Sequence, residues 1–373
     1  MRIFTIAGGN VTETDQLEGL ARAPAGEAGY LWIACTRREF EVLQTQLQTT
    51  LQGLTGTTLV DLHVADLLNN QLPSHYDYTS QYDVLVFRRL AAGSKETDLA
   101  QPGVPLTHLP ARGGPPILRR IDTSPVGFAV FDQVLLTVHP AGCAVRGAYA
   151  AKLLSAASAE SRAAGARLPS GPADLMLRII NHMVDGYLDL RRELTHQLDH
   201  WQSELLNPRT RFNNWGSLLD ARLSLHHLDE ICEDQRAALQ DWVEALKTWP
   251  AAGSTAEGQE RELLHVRSRD VLEHIERVVH HVRRLEQSAE TAVQMHFNAQ
   301  SHRTNEIMRT LTVLTAVFLP LNLIAGIFGM NFEFIPLLHL ANGFWICMAL
   351  MLAIAGGLVF YFWRKRFIEH SGR

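Results

Sequence analysis

Residues Thr310 to Asn331 read TLTVLTAVFLPLNLIAGIFGMN, and residues Phe344 to Trp363 read FWICMALMLAIAGGLVFYFW. The first stretch carries no Lys, Arg, Asp or Glu after Arg309, and the next ionised side chain is Glu333. Each stretch approaches the roughly 20 apolar residues that a helix needs to cross a bilayer core. Two such segments joined by a short loop, at the end of a long hydrophilic chain, predict a soluble body carried on a membrane hairpin. The amino terminus, Met1-Arg2-Ile3-Phe4-Thr5-Ile6, lacks the basic region and long apolar run of a secretory signal.

Charge predicts the orientation. Arg303 and Arg309 precede the first span, Arg364, Lys365 and Arg366 follow the second, and the loop 329–343 has no Lys or Arg. By the positive-inside rule both termini face the cytoplasm and only the loop lies outside, which predicts a multi-pass protein of the inner (plasma) membrane. Over the 373 residues the formal net charge is −5, which argues against a nucleic-acid surface. Cys35, Cys143, Cys232 and Cys347 are scattered, with no metal-type pair spacing and no disulfide framework.

The first part of the chain predicts an α/β domain over 1–168. Strand-like runs occur at Tyr30 to Cys35, Tyr82 to Leu90, Gly127 to Asp132 and Gln133 to His139, the last two forming a hairpin. Phe40, Leu43, Leu47 and Leu51 recur at helical spacing, 92–116 reads as a loop, and 148–166 as an alanine-rich helix. A helical region and stalk follow over 169–309. It divides into one long helix from about Ala173 to Leu206, stopped by Asn207-Pro208, a second over 218–248, and a third from about Ala256 into the membrane. At about 1.5 Å per residue this last helix would span on the order of 100 Å. Its residues Val271, Ile275, Val278, Val282, Leu285, Ala289 and Ala292 alternate spacings of four and three, the period of a coiled-coil-like seam. Such a seam packs either on this protomer's own preceding helices or on neighbouring subunits. The membrane pair occupies 310–363, and 364–373 is a basic tail.

The membrane helix carries a second pattern. Asn305, Met308, Thr312, Thr315, Leu319, Asn322 and Gly326 also alternate three and four, which places polar and small side chains on one stripe of an apolar helix. Polar groups at membrane depth are costly unless they face protein or water. The plainer reading is a helix-packing seam, and threonine fits it, because a hydroxyl can bond back to its own helix. Asn305 and Asn322 favour a wet pore. One such helix cannot enclose a channel, so a homo-oligomer is required, with the first span inside and the second facing lipid, anchored by Trp345, Tyr361 and Trp363.

Thr304-Asn305-Glu306-Ile307-Met308, then Phe318-Leu319-Pro320-Leu321, then Ala325-Gly326-Ile327-Phe328-Gly329-Met330-Asn331-Phe332-Glu333 resemble the signature of the CorA family of divalent-cation channels. The resemblance covers the whole architecture: an α/β cytosolic domain, a long-helix stalk and two C-terminal transmembrane helices. It implies a homopentamer with a central pore and a filter at Gly329, Met330 and Asn331. Mg²⁺ sheds water reluctantly, so a ring of neutral Asn331 amides would accept hydrogen bonds from the hydration shell without stripping it. Gly329 would permit a tight turn at the helix end, and Asn331 has the competing role of a simple helix cap. The resemblance also assigns Met308 and Leu319 to hydrophobic constrictions and Thr312 and Asn322 to polar rings. Glu333 would raise the cation concentration at the mouth. Arg269-Asp270-Val271 resembles the segment bearing a gating-site aspartate, making Asp270 the candidate regulatory metal ligand.

The chain departs from the family pattern at Phe328, where a Tyr is usual, and at Ile335-Pro336-Leu337-Leu338, which lacks a second acid. That weakens the case for magnesium over Co²⁺, Ni²⁺ or Zn²⁺, and a zinc-transporting, ZntB-like branch shares the fold. Zinc prefers imidazole and thiolate, yet among the 17 histidines the pairs His196 and His200, His226-His227 and His280-His281 lack an obvious third ligand. His339 lies in the outer loop. Three functions follow: a passive channel for Mg²⁺, Co²⁺ or Ni²⁺, a zinc transporter coupled to protons, or a membrane-anchored sensor or scaffold. No P-loop, Gly-x-Ser-x-Gly elbow or His-Glu-x-x-His helix is present, so neither an enzyme nor an ATP-driven pump is expected, and no cofactor beyond the transported or regulatory divalent cation.

Overall fold

A computed structural model describes residues 1–17, 20, 29–93, 96–97, 99, 102, 115–158, 167–206, 215–249, 255–330 and 342–365. The chain divides into two compact units, Met1–Ala292 and Val293–Arg373.

The first unit begins with strands β1 (Arg2–Ala7), β2 (Asn10–Thr14) and β3 (Gly29–Thr36), then helices α1 (Arg37–Val42), α2 (Gln44–Thr55) and α3 (Asp61–Leu68). Strands β4 (His75–Tyr78), β5 (Asp83–Arg88), β6 (Ala91–Ala92), β7 (Ile121–Asp122), β8 (Pro125–Val130) and β9 (Val134–His139) follow, then α4 (Ala144–Ala156). Seven strands form one sheet in the order β2-β1-β3-β9-β8-β5-β4, with β3 and β9 parallel and the other neighbours antiparallel.

Side chains alternate across the sheet. Leu31, Ile33 and Cys35 of β3 and Val134, Leu136 and Val138 of β9 join Phe40, Leu47, Leu51, Val64 and Leu67 of α1 to α3 in one core. On the opposite face Trp32 stacks on Phe4 at 4.8 Å and meets Tyr149 of α4 edge-on at 6.0 Å. A Cβ at Gly127 would collide with Leu67 Cδ2, so β8 and α3 approach this closely only because that side chain is missing.

The β8–β9 hairpin and the strands containing 30–35 and 83–88 match the sequence reading. The expected helix through Phe40 and Leu51 is broken at Leu43 into α1 and α2, and the alanine-rich helix starts four residues earlier, at Ala144, with 159–166 outside the described residues. Strands β1, β2 and β4 and helix α3 were not anticipated. Helix α1 starts from a capping box: Glu39 N–H donates to Thr36 Oγ1 at 3.2 Å, and Thr36 N–H donates to Glu39 Oε2 at 2.7 Å. Thr36→Ala is expected to cost about 1 kcal/mol of stability, read by denaturant unfolding.

Helices α5 (Pro172–Asp185), α6 (Tyr187–Leu206), α7 (Trp215–Thr248) and α8 (Thr255–Phe328) follow, then α9 (Gly343–Arg364). The single helix expected from Ala173 to Leu206 is a correction: it divides at Gly186. Helix α8 is continuous, as expected, and carries Pro320 internally. Val271, Ile275, Val278, Val282, Leu285, Ala289 and Ala292 are all buried within this one protomer, so the seam packs within its own chain. Trp242 of α7 is fully buried and donates from Nε1 to Ser268 Oγ of α8 at 3.0 Å. Arg283 of α8 bonds Asp229 Oδ1 of α7 at 3.1 Å and also Glu233.

Candidate ion-conduction site

In the second unit, α8 and α9 each contain a stretch long and apolar enough to cross a membrane. At about 1.5 Å per residue, Asn305 to Gly326 covers about 32 Å, close to the roughly 30 Å of a hydrocarbon core. Asn305, Met308, Thr312, Thr315, Leu319, Asn322 and Gly326 are all exposed. The covered positions of α8 form a different stripe: Arg309, Val313, Ala316, Val317, Pro320, Leu321, Ile324 and Phe328. Helix α9 has its own covered stripe, Cys347, Met348, Met351, Ile354, Ala355, Leu358 and Phe362. Both follow the three–four spacing of a helix–helix contact.

At 3.6 residues per turn, the polar stripe lies about 140° around α8 from the covered one. The polar stripe is therefore not the covered face of α8 within the protomer. What remains on that face of a lone protomer is lipid or other protein, and lipid is the costly choice for Asn322.

The threonine hydroxyls bond back to their own helix. Thr312 Oγ1 donates to Met308 O at 2.8 Å and Thr315 Oγ1 to Leu311 O at 2.9 Å. Their donors are spent, so each presents oxygen lone pairs outward, the polarity that suits a cation or its water.

At the end of α8, Gly329 N–H donates to Ala325 O at 2.9 Å and Met330 N–H to Ile327 O at 3.3 Å. Gly329 is not in the left-handed region. Its role here is steric: a Cβ would lie 3.1 Å from Ala325 O. Met330 is 49% exposed. Asn331, Glu333 and His339 lie outside the described residues.

Asp270 belongs to the first unit. Its carboxylate is 61% exposed, and Oδ1 is 3.9 Å from His274 Nε2, one helical turn on. His274 Nδ1 in turn faces Asn181 Oδ1 at 3.1 Å and Asp185 Oδ1 at 4.0 Å on α5. Among the described residues no group of three or more His, Cys, Asp or Glu side chains is placed to hold a metal.

The histidine pairs divide. His196 and His200 are exposed, with His200 3.6 Å from Glu204, and His226 and His227 face Glu230 at 3.6 and 3.1 Å. His281 differs from its neighbour His280: it is buried, its Nδ1 2.8 Å from Tyr187 OH and its Nε2 3.1 Å from Thr195 Oγ1. The signal was present, since His281 stands three residues after Val278 and four before Leu285 on the seam itself. Burial, with Arg191 and Arg284 adding to it, pushes the His281 imidazolium down to about 4 from its ordinary 6.5. As pH falls below about 6.5 the unfolded chain takes up a proton that the folded chain refuses until about 4, so this contribution to stability is present above 6.5 and lost on the way down. Unfolding midpoints at pH 7.5 and 4.5 are expected to differ less in His281→Gln than in the parent protein.

Residues 105–366 match the family described as CorA-like Mg2+ transporter protein. The chain belongs to that family. It is 28% identical over 210 residues to the cobalt/magnesium transport protein CorA of Thermotoga maritima, covering 52% of each chain. It is 35% identical over 98 residues to the magnesium transport protein CorA of Haemophilus influenzae, 26% of this chain and 31% of that one. The chain thus spans about half the length of the Thermotoga relative that it matches. The fold superposes on the complete CorA magnesium transporter of Methanocaldococcus jannaschii with a TM-score of 0.66 across 98% of both chains at 18% identity. For the full-length CmaX protein the TM-score is 0.59, across 98% of this chain and 97% of that one at 16% identity.

Proposed function

We propose that this chain assembles as a homopentamer in the inner membrane and conducts Mg²⁺, with Co²⁺ and Ni²⁺ as further ions, down the membrane potential and without ATP. The observation that carries the reading is the exposed polar stripe of α8, on the side away from that helix's covered positions. Neutral oxygens on that face meet either acyl chains or the same stripe of neighbouring copies, and a shared watery axis satisfies all of them at once. In this reading 1–168 and 169–309 form the cytosolic α/β domain and stalk, 310–363 the membrane pair with outer loop 329–343, and 364–373 a cytosolic tail.

Each residue then has a role. Asn305, Thr312, Thr315 and Asn322 line the pore as polar rings, Met308 and Leu319 constrict it, and Gly326 leaves it wide. Gly329, Met330 and Asn331 hold the hydrated ion at the outer end, where Glu333 supplies negative potential. Asp270 binds a divalent ion against a neighbouring subunit and holds the closed state. Carboxylates at such an interface repel one another until a cation bridges them.

Flux of Mg²⁺, Co²⁺, Ni²⁺ and Zn²⁺ into proteoliposomes, with and without a pH gradient, tests this. Potential-driven Mg²⁺ uptake indifferent to the pH gradient is expected. Zn²⁺ uptake that requires the gradient would replace the proposal with a proton-coupled zinc transporter, and no flux of any ion would leave a membrane-anchored scaffold.

A further inference from the structure

Strands β3, β9 and β5 all run in the same direction, because β3 and β9 are parallel and β8 is antiparallel to both β9 and β5. Their carboxyl ends therefore lie along one edge of the sheet. That edge carries Thr36 and Arg37 after β3, His139 at the end of β9, Arg88 and Arg89 after β5, and the segment Asp122 to Ser124 entering β8. After β3 the chain turns onto one face, where Phe40 of α1 joins the core with Ile33 and Leu136. After β9 it turns onto the other, where Tyr149 of α4 meets Trp32. Adjacent parallel strands whose helices leave to opposite faces create a crevice at their carboxyl ends, the place where open α/β sheets bind ligands.

The groups gathered there are donors in excess of acceptors. Arg89 is buried and contacts Asp122, donates to Ser124 O at 3.3 Å and approaches Cys143 Sγ at 3.3 Å. Arg146 reaches Glu39 Oε2 at 3.4 Å, but that oxygen also accepts from the capping-box residue Thr36. Arg37 bonds the carbonyl of Pro125 and its Nε is buried with no partner, while Asp122, whose charge acts on it, is already bonded by Arg89. Burial and the neighbouring Arg89 together push its guanidinium down to about 10. Helix α4 begins at Ala144, and its N-cap Cys143 makes no side-chain bond to the first N–H groups, which leaves donors pointing out of a helix start.

His139 supplies a second, independent sign. It is fully buried, and its Nδ1 has no hydrogen-bond partner. Trp32 Nε1 donates to Thr137 Oγ1 at 2.9 Å, and Thr137 Oγ1 is also 2.9 Å from His139 Nε2. The hydroxyl has a second lone pair as well as its own hydrogen, so Thr137 can serve either neutral tautomer of His139. Burial and the charges of Arg146, Arg89 and Arg37 push the imidazolium down to about 3, which keeps the ring neutral. In the tautomer that carries its proton on Nδ1, the unpartnered atom is an N–H donor lying in the field of three guanidinium groups. A buried donor left unpaired costs roughly 1–3 kcal/mol, and an anion would satisfy it together with Arg37. Thr123 Oγ1, on the segment entering β8, is likewise buried without a partner.

We infer that the carboxyl edge of β3 and β9 is a binding site for a tetrahedral oxyanion, inorganic phosphate or the phosphoryl end of a small metabolite, held by Arg37, Arg146, His139 Nδ1 and the start of α4. Planar guanidinium groups and backbone N–H groups at a helix start are the donors that suit phosphate oxygens. The site lies within the first unit and does not depend on ion conduction.

The test is equilibrium dialysis of the full chain in detergent against radiolabelled inorganic phosphate, at constant ionic strength and free of divalent ions. Saturable binding of one phosphate per chain is expected, weakened tenfold or more by Arg37→Gln and by Arg146→Gln. Arg146 is the more tolerant position, so if Arg37→Gln fails to fold, Arg146→Gln alone decides. Displacement of the label by adenosine monophosphate at lower concentration than by cold phosphate would identify a phosphoryl metabolite as the ligand. Weaker displacement would identify the free ion. The inference is overturned if no saturable binding appears up to millimolar phosphate, or if binding is unchanged in the folded variants.

Discussion

Asn331→Ala is expected to reduce Mg²⁺ flux into proteoliposomes a hundredfold or more while leaving assembly and expression unchanged. An amide accepting from a water of the hydrated ion contributes about 0.5–1.5 kcal/mol net, and several amides of one ring act on the same ion. Losing about 3 kcal/mol of capture corresponds to roughly a hundredfold in rate. Asn331→Asp is the informative companion: it restores acceptors and adds charge, so flux returns but discrimination between Mg²⁺ and more easily dehydrated ions weakens. Unaltered rate and selectivity in Asn331→Ala would remove the filter and leave the residue as a helix cap.

The second large effect concerns the pair Leu319 and Asn322, neighbours on the exposed stripe of α8. Asn322→Leu would extend the proposed apolar constriction at Leu319 by one turn, and a longer apolar ring is harder to wet. Conduction is expected to fall on the order of a hundredfold, about 2.7 kcal/mol of added barrier. Leu319→Ser should do the opposite, raising basal flux and weakening any dependence on intracellular metal. If both substitutions leave flux alone, the stripe does not face the ion path. That result would point instead to a lipid-facing or structural surface, even though it lies away from the covered positions of α8.

The membrane pair, the seam of α8 and the stripe beside it were legible because each is a repeat along one helix. Val271 to Ala292 and Asn305 to Gly326 declare a face through spacing alone. Less of the sheet could be read. Strand β2, NVTET, is mostly exposed, and β4, HYDY, has no apolar run, so neither carries the alternation that marks a strand. Gly186 gave no warning of the division between α5 and α6, since a lone glycine in an amphipathic pattern is often carried within a helix. Gly329 follows directly on the end of α8, where its constraint is the closeness of Ala325 O rather than a left-handed backbone.

By itself the sequence determined which residues share a helical face, where the chain becomes apolar enough for a bilayer, and the family to which those residues point. These are properties of neighbours within a turn or two, and a helix keeps the same period wherever it is placed. Only the tertiary structure decided which face is covered: the seam by this protomer's own helices, and in the apolar stretch of α8 the side of Val313 and Ile324 rather than that of Thr312 and Asn322. It alone brought Arg37, Arg89, Arg146 and His139 to one sheet edge, because strands distant in the chain become neighbours only through pairing, and no local spacing records which strand lies next to which.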